Sequence, residues 1–209
     1  MLTDPLYRLA DLNRPGACPA DKKRLFIGSD VEIAGEVGED LTRAFGEIVH
    51  AEGQFWRYRL THWKTIPEHE LRLAVHAYDG ADFETPTGEP ARVKLSKSRV
   101  DSVLNELAAL VAKPDFFDSA VVGINCASGF IRFAADGTPS LVPHDPDHRC
   151  RHTLPGRWSP APLGAPPSSS LLARLLDGVF RGDDDAHEKV DLLAEIAGAA
   201  ALGYATRLR

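Results

Sequence analysis

Apolar residues recur at helical spacing behind Ser29, at Ile33, Val37, Leu41, Ala44, Phe45 and Ile48. Ser29 and Glu32 form the S-x-x-E capping arrangement, so the pattern predicts an amphipathic helix over 30–50 with an acidic outer face. The period then changes to two. In FWRYRLTHW (55–63), Trp56, Tyr58 and Leu60 alternate with Arg57, Arg59 and Thr61, predicting a strand with one buried face. Pro67 suits the first turn of a helix running to about Tyr78, and a Pro/Gly loop follows over 80–91. A further helix spans 97–112, with Val100, Val103, Leu104 and Leu107 on one face, and stops at Pro114. AVVGINC, GFIRF and SLVPH, separated by the turns ASG and ADGTP, read as a three-stranded meander. Two helices close the chain, one around Leu171–Phe180 and one around Val190–Ile196, with the acidic run Asp183–Asp185 between them.

These elements predict an α+β fold: helices with a small antiparallel sheet, then a C-terminal helical pair. The order helix, strand, helix, helix, hairpin is that of a winged-helix core, with 97–112 in the recognition-helix place. The division that follows is an irregular arm over 1–28, an α+β domain over 29–155, a linker over 156–169 and a helical segment over 170–209. The linker rests on the five prolines of PGRWSPAPLGAPPSSS.

Composition narrows the class. Hydrophobic residues at 44% and charged residues at 26% are ordinary for a globular chain and exclude disorder throughout. No apolar run approaches the about 18 residues a membrane span needs, and the N-terminus reads as no secretory signal. Three widely spaced cysteines, Cys18, Cys126 and Cys150, make a disulfide framework a poor reading and a reducing cytoplasm the natural compartment. With 24 Lys+Arg against 30 Asp+Glu, the net charge of −6 opposes a nucleic-acid coat over the whole surface but leaves room for a local basic patch.

That patch is the main candidate. RVKLSKSR places Arg92, Lys94, Lys97 and Arg99 together without an acid, and Arg57, Arg59 and Lys64 stud the aromatic strand. These seven residues are the candidate phosphate-contacting surface, with Trp63, Trp158 and Phe55 as the aromatic side chains to stack on unpaired bases. VPHDPDHRCRH offers zinc-type ligands in His144, His148, Cys150 and His152, but matches no closed-site spacing and reads as a polar strand edge. Cys126 in INCASG could be a nucleophile; a cysteine ending an apolar strand is more often a small buried hydrophobe. Phosphate-loop, dinucleotide, zinc-protease and nucleophile-elbow motifs are absent, so no catalytic residue is assigned.

Several strings in fixed order carry a resemblance: GSDVEIA (28–34), HAEGQFWRYRLTHWKTI (50–66), VDSVLNELAALVAKPDFFDS (100–119), INCASGFIRF (124–133), LVPHDPDHRCRHTLP (141–155), then GDDD and EIAGAAALG (195–203). Together they resemble the region preceding the superfamily 3 helicase ATPase in phage and plasmid primase–helicases, a class shared with poxvirus NTPases. The resemblance implies a non-catalytic DNA-binding and assembly domain in DNA replication. Its partners would be single-stranded or forked DNA and further copies of the chain, joined through a collar-like segment at 170–209. No cofactor is implied here; ATP and Mg belong to an ATPase that would follow Arg209, and primer synthesis to a module upstream. The alternatives are a protein-interaction module without DNA affinity, and a small zinc- or thiol-dependent hydrolase using His144, His148, His152, Cys150 or Cys126.

Overall fold

In the computed structural model, residues 25–159 and 169–202 are described. The basic triplet 22–24, Cys18, most of the N-terminal arm, the centre of the Pro-rich stretch and the last seven residues therefore lie outside the described part. The elements run α1 (Asp30–Phe45), β1 (Ile48–Ala51), β2 (Gln54–Arg59), β3 (His62–Thr65), α2 (Glu68–His76), β4 (Asp82–Glu84), β5 (Pro90–Arg92), α3 (Lys97–Leu110), β6 (Gly123–Cys126), β7 (Gly129–Phe133), β8 (Pro139–Val142), α4 (Leu171–Val179) and α5 (Ala186–Ala201). The fold is mixed α+β, with small antiparallel sheets ordered β1-β2-β3, β4-β5 and β6-β7-β8. No described helix is long and apolar enough to cross a membrane. The chain divides into two compact units, Met1–Val121 with Asp145–His152, and Val122–His144 with Thr153–Arg209.

In the first unit, α1 starts where the sequence places it, with Ser29 Oγ accepting from the Glu32 amide at 3.2 Å, and ends earlier, at Gly46 with φ +80°. The residues after Gly46 become β1 instead. The single strand expected at 55–63 is a hairpin. Glu52 and Gly53, both at positive φ (51° and 73°), turn β1 into β2, and Leu60 at φ 61° turns β2 into β3. The Pro/Gly loop also holds a short ladder, with Asp82 opposite Arg92 and Glu84 opposite Pro90. In a winged helix the strand after the first helix joins the terminal hairpin; here β1 pairs with β2, and β6–β8 form their own sheet.

The β1–β3 sheet is buried on both faces, where the sequence pattern predicts one. Ile48 and Phe55 pack into the core made by α1, α2 and α3, including Ile33, Leu41, Val75 and Val103. Val49 and Trp63 face the other way, into a cluster with Phe116 and Phe117. Trp63 is fully enclosed: its ring meets Phe116 edge-on at 4.8 Å, its Nε1–H donates to Pro146 O at 2.9 Å, and its amide donates to Cys150 O at 2.7 Å. Arg149 and Arg151 cap the cluster, their guanidinium carbons 4.7 Å and 4.5 Å from the Phe116 and Phe117 ring centres. The segment 145–152 thus closes the aromatic face, and burial pushes the Cys150 thiol up to about 11.

Arg57 sits on the helix-facing side of β2 and is only 6% exposed. Its Nη1 lies 2.8 Å from Glu70 Oε2 at the start of α2, and its guanidinium stacks 4.3 Å from the Phe45 ring centre at the end of α1. The ion pair is close but too bent for a linear hydrogen bond, and Arg57 Nε finds no acceptor among the described residues. One side chain therefore joins a strand and two helices through a desolvated charge pair.

In the second unit, β6–β8 form the expected meander. Gly129 at φ 148° starts β7 beneath the facing strand, where a Cβ would lie 2.5 Å from Val142 O, so only glycine fits. Asn125 is buried, with its carbonyl 2.9 Å from His144 Nδ1 and its amide donating to Thr153 Oγ1 at 2.9 Å. Neither α4 nor α5 buries a residue; Leu171, Leu172, Leu175 and Val179 on α4, and Leu192 and Ile196 on α5, are each more than half exposed.

The buried pair yields a paired test by urea unfolding. Arg57→Ala leaves Glu70 charged and unpaired, so the midpoint should fall by the equivalent of about 3–5 kcal/mol. The double variant Arg57→Met with Glu70→Leu removes both charges and should recover most of that loss.

Candidate nucleic-acid interface

The seven cations expected to form one surface are divided by the fold. Arg57 is withdrawn from it: burial and the Glu70 pair make this residue part of the core, because the helix-facing side of β2 is covered. Arg59 and Lys64 remain exposed on the β2–β3 hairpin, a different sheet from Arg92. Arg92, at the end of β5, pairs with Asp82 at 2.9 Å across the short ladder. Lys94 and Lys97 are exposed, and no carboxylate among the described residues pairs with either side chain. Lys97 opens α3, which has no acid in its first turn, so the partial positive charge of that helix end adds to the two ammonium groups.

Arg99 is structural rather than free. Its Nε donates to Asp30 Oδ1 at 2.8 Å, its Nη1 to Lys94 O at 3.3 Å, and its Nη2 to Gly28 O. One guanidinium thereby ties the starts of α1 and α3 and holds residue 28 beside residue 94. Partial burial raises the Asp30 carboxyl, but the Arg99 and Ser102 hydrogen bonds and the Arg99 charge outweigh it and leave the pKa lowered.

Glu32 makes the complementary anchor, which the capping pattern marked without disclosing its reach. Its carboxylate accepts from the amides of Phe26, of Ile27 at 2.8 Å and of Gly28 at 2.7 Å. Leu25, buried, donates its amide to Asp82 O at 2.9 Å, and Gly28 (φ +69°) lies over Phe83, where a Cβ would come within 2.8 Å of the ring. Residues 25–28 are therefore fastened to the β4–β5 hairpin and to both helix starts. Phe26 and Ile27 themselves are exposed, at 84% and 57%.

The zinc-type residues do not converge: among the described residues no three His, Cys, Asp or Glu side chains gather as metal ligands would. The stretch expected as a strand edge contains a short 3-10 turn, Pro146–His148, and carries Cys150 half-buried on the first unit. Cys126 is buried, donating to Gly129 O at 3.2 Å and lying 3.3 Å from Ser128 Oγ. Burial raises its pKa, but hydrogen bonds from Ser128, Trp158 and Gly129 prevail and lower it. The acidic residues are likewise engaged: Asp40 accepts from Tyr78 Oη at 2.6 Å, and Asp183 and Asp185 hold Lys189 at 2.6 Å and 2.7 Å.

The Glu32 anchor has a pH signature. Partial burial raises its carboxyl, yet four backbone donors, from Phe26 to Ser29, bring the pKa below the ordinary 4.5. The stabilisation is thus complete above the unfolded value and is lost as pH falls through the lowered folded one. Amide chemical shifts of Phe26, Ile27 and Gly28 should move together in that acid window, and in Glu32→Gln they should lose the transition.

Comparison with known proteins gives one finding: a family model described as D5 N terminal like matches residues 40–181. No curated protein and no solved structure matches the chain. The match begins inside α1, takes in all three sheets and the 92–99 segment, and ends just past α4, leaving α5 beyond it. Since it covers more than half of the chain, the protein belongs to the D5 N-terminal-like family, the N-terminal domain of primase–helicase-type proteins.

Proposed function

We propose that this chain is a non-catalytic DNA-binding and assembly domain of a phage or plasmid primase–helicase, preceding a superfamily 3, poxvirus-NTPase-like ATPase in DNA replication. The observation that carries the reading is the family match across 40–181, within which Lys94 and Lys97 stand exposed at the positive end of α3, with no carboxylate partner among the described residues. Arg92 extends this strip, its pair with Asp82 being an exposed one of small energetic weight. Arg59 and Lys64 supply a second basic point on the β2–β3 hairpin. Arg99 serves by holding the strip in place. Phosphate contacts of this kind attract single-stranded or forked DNA without reading its sequence. ATP and Mg act at the ATPase, and the domain's own residues hold no cofactor in this reading.

The assembly role rests on α4 and α5. Their apolar faces are uncovered, and two short helices gain little stability without a partner surface. A second copy of the chain is the partner this reading assigns, forming a collar through residues 170–209. A pure interaction module would share these helices, so the two readings part on DNA alone.

Binding of a fluorescent single-stranded oligonucleotide, followed by anisotropy across salt concentrations, tests the first role. The parent should bind at low salt and weaken steeply as salt rises. Lys94→Ala with Lys97→Ala should bind more weakly on every sequence and reduce the log–log salt slope by about 1.4, at ~0.7 per lost phosphate contact. A parent that binds neither single-stranded nor forked DNA at low salt would leave the interaction module standing. For the second role, Leu172→Glu with Leu175→Glu should lower the sedimentation coefficient of the self-associated chain while circular dichroism stays unchanged; equal monomers in both forms would refute the collar.

A further inference from the structure

We propose that Phe26 is a base-stacking residue for single-stranded nucleic acid, set beside the Lys94–Lys97 phosphate strip. The inference rests on the DNA-binding reading and adds to it a residue and a mode of contact. Phe26 is 84% exposed and Ile27 57% exposed, yet their backbone is held in place. Their amides, with that of Gly28, are held by the Glu32 carboxylate. The peptide on one side is pinned by the Leu25 amide to Asp82 O, and on the other by Arg99 to Gly28 O. An exposed pair of large apolar side chains on a clamped backbone is a docking feature rather than a loose end.

Charge and position select the occupant. The Arg99 guanidinium that holds Gly28 O also donates to Lys94 O at 3.3 Å, so the stretch carrying the apolar pair and the stretch carrying the lysines are tied together through one side chain. The acids around them are consumed: Asp30 by Arg99, Glu32 by backbone amides, and Asp82 by Arg92. Among the described residues, what stays exposed is a flat aromatic ring two residues from Gly28 and two lysines without a carboxylate partner on the segment that Arg99 ties to it. That pairing fits an unpaired base with its neighbouring phosphates, because every base offers a π-face while its backbone offers negative charge. A duplex, with its bases stacked inside, cannot use the ring in this way.

The test compares two probes of equal length, an oligothymidylate and an abasic strand of the same sugar–phosphate backbone, bound to the full chain at low salt. Phe26→Ala should lose about tenfold affinity or more for oligothymidylate and none for the abasic strand, with the salt slope unchanged. Phe26→Trp should retain affinity, and its added indole fluorescence should be quenched by oligothymidylate but not by the abasic strand. Lys94→Ala with Lys97→Ala should weaken both probes alike. Because Phe26 is exposed, circular dichroism should show each variant folded. If Phe26→Ala binds oligothymidylate as the parent does while the lysine variant is weakened, the stacking assignment is wrong and the phosphate strip stands. If, in addition, Phe26→Ala changes self-association in sedimentation, the ring is a protein contact and the proposal is overturned. A parent that binds neither probe overturns the proposal together with the reading beneath it.

Discussion

The two-sided burial of β2 is the constraint on which the first unit depends. Alternate residues of one short strand must satisfy two separate apolar clusters, one against the helices and one against Phe116 and Phe117. A slip of one residue would exchange the faces and send Trp56 and Tyr58 into the helical core. Two devices hold the register. Type I′-like geometry at Glu52–Gly53 and the left-handed Leu60 set the turns, and Arg57 locks the strand to Glu70 and Phe45. On the opposite face, the segment 145–152 returns to cover Trp63. Its backbone carbonyls take the two Trp63 N–H groups, which would otherwise be buried without acceptors.

Arginine and lysine are used differently here. Arg57, Arg72, Arg99, Arg149 and Arg151 each engage two or more partners, joining strands, helices and aromatic rings. A planar fork with several donors suits such cross-linking, whereas an ammonium on a flexible stem is a hydrated point charge. Lys64, Lys94 and Lys97 keep their charge at the surface. In an acidic chain this division explains how a local positive strip survives: the neighbouring carboxylates are occupied by arginines and backbone amides, so the lysines are not neutralised at short range.

Membership in the D5 N-terminal-like family gives these features a shared setting. In the function proposed above, a domain adjoining an ATPase would gain from a rigid body with a charged grip and from apolar helices able to pack on neighbours. The α1–α2–α3 core supplies rigidity, through Tyr78 donating to Asp40 and Arg72 bridging Glu68 on its own helix and Asp101 on α3. Burial and the Asp40 carboxylate both hold the Tyr78 phenol neutral, which keeps it a donor across the whole working pH range. The helices α4 and α5 are amphipathic, and neither buries a residue.

Local periodicity and capping determined much of this protein without help from tertiary contacts. The starts of α1 and α3, the β6–β8 meander, the two C-terminal helices and the basic run 92–99 all follow from residues within one or two turns of each other. Hydrophobic spacing and cap chemistry act over that range. What lay beyond it required the folded chain. Arg57 alternates with aromatics as a surface residue would, and only the covering of β2 by helices turns it into a core ion pair. The β1 strand was hidden in the tail of a helical pattern because Gly46 breaks the helix while Ile48 keeps the spacing. Glu32 showed its capping role locally, but not that it would hold Phe26 and Ile27 in place. Arg99 looked like a free phosphate contact until Asp30, Gly28 and Lys94, 69, 71 and 5 residues away, converged on it. Burial and pairing are properties of neighbours in space. The sequence determined which side chains carry charge or an aromatic ring, and the tertiary structure decided which of them remained available.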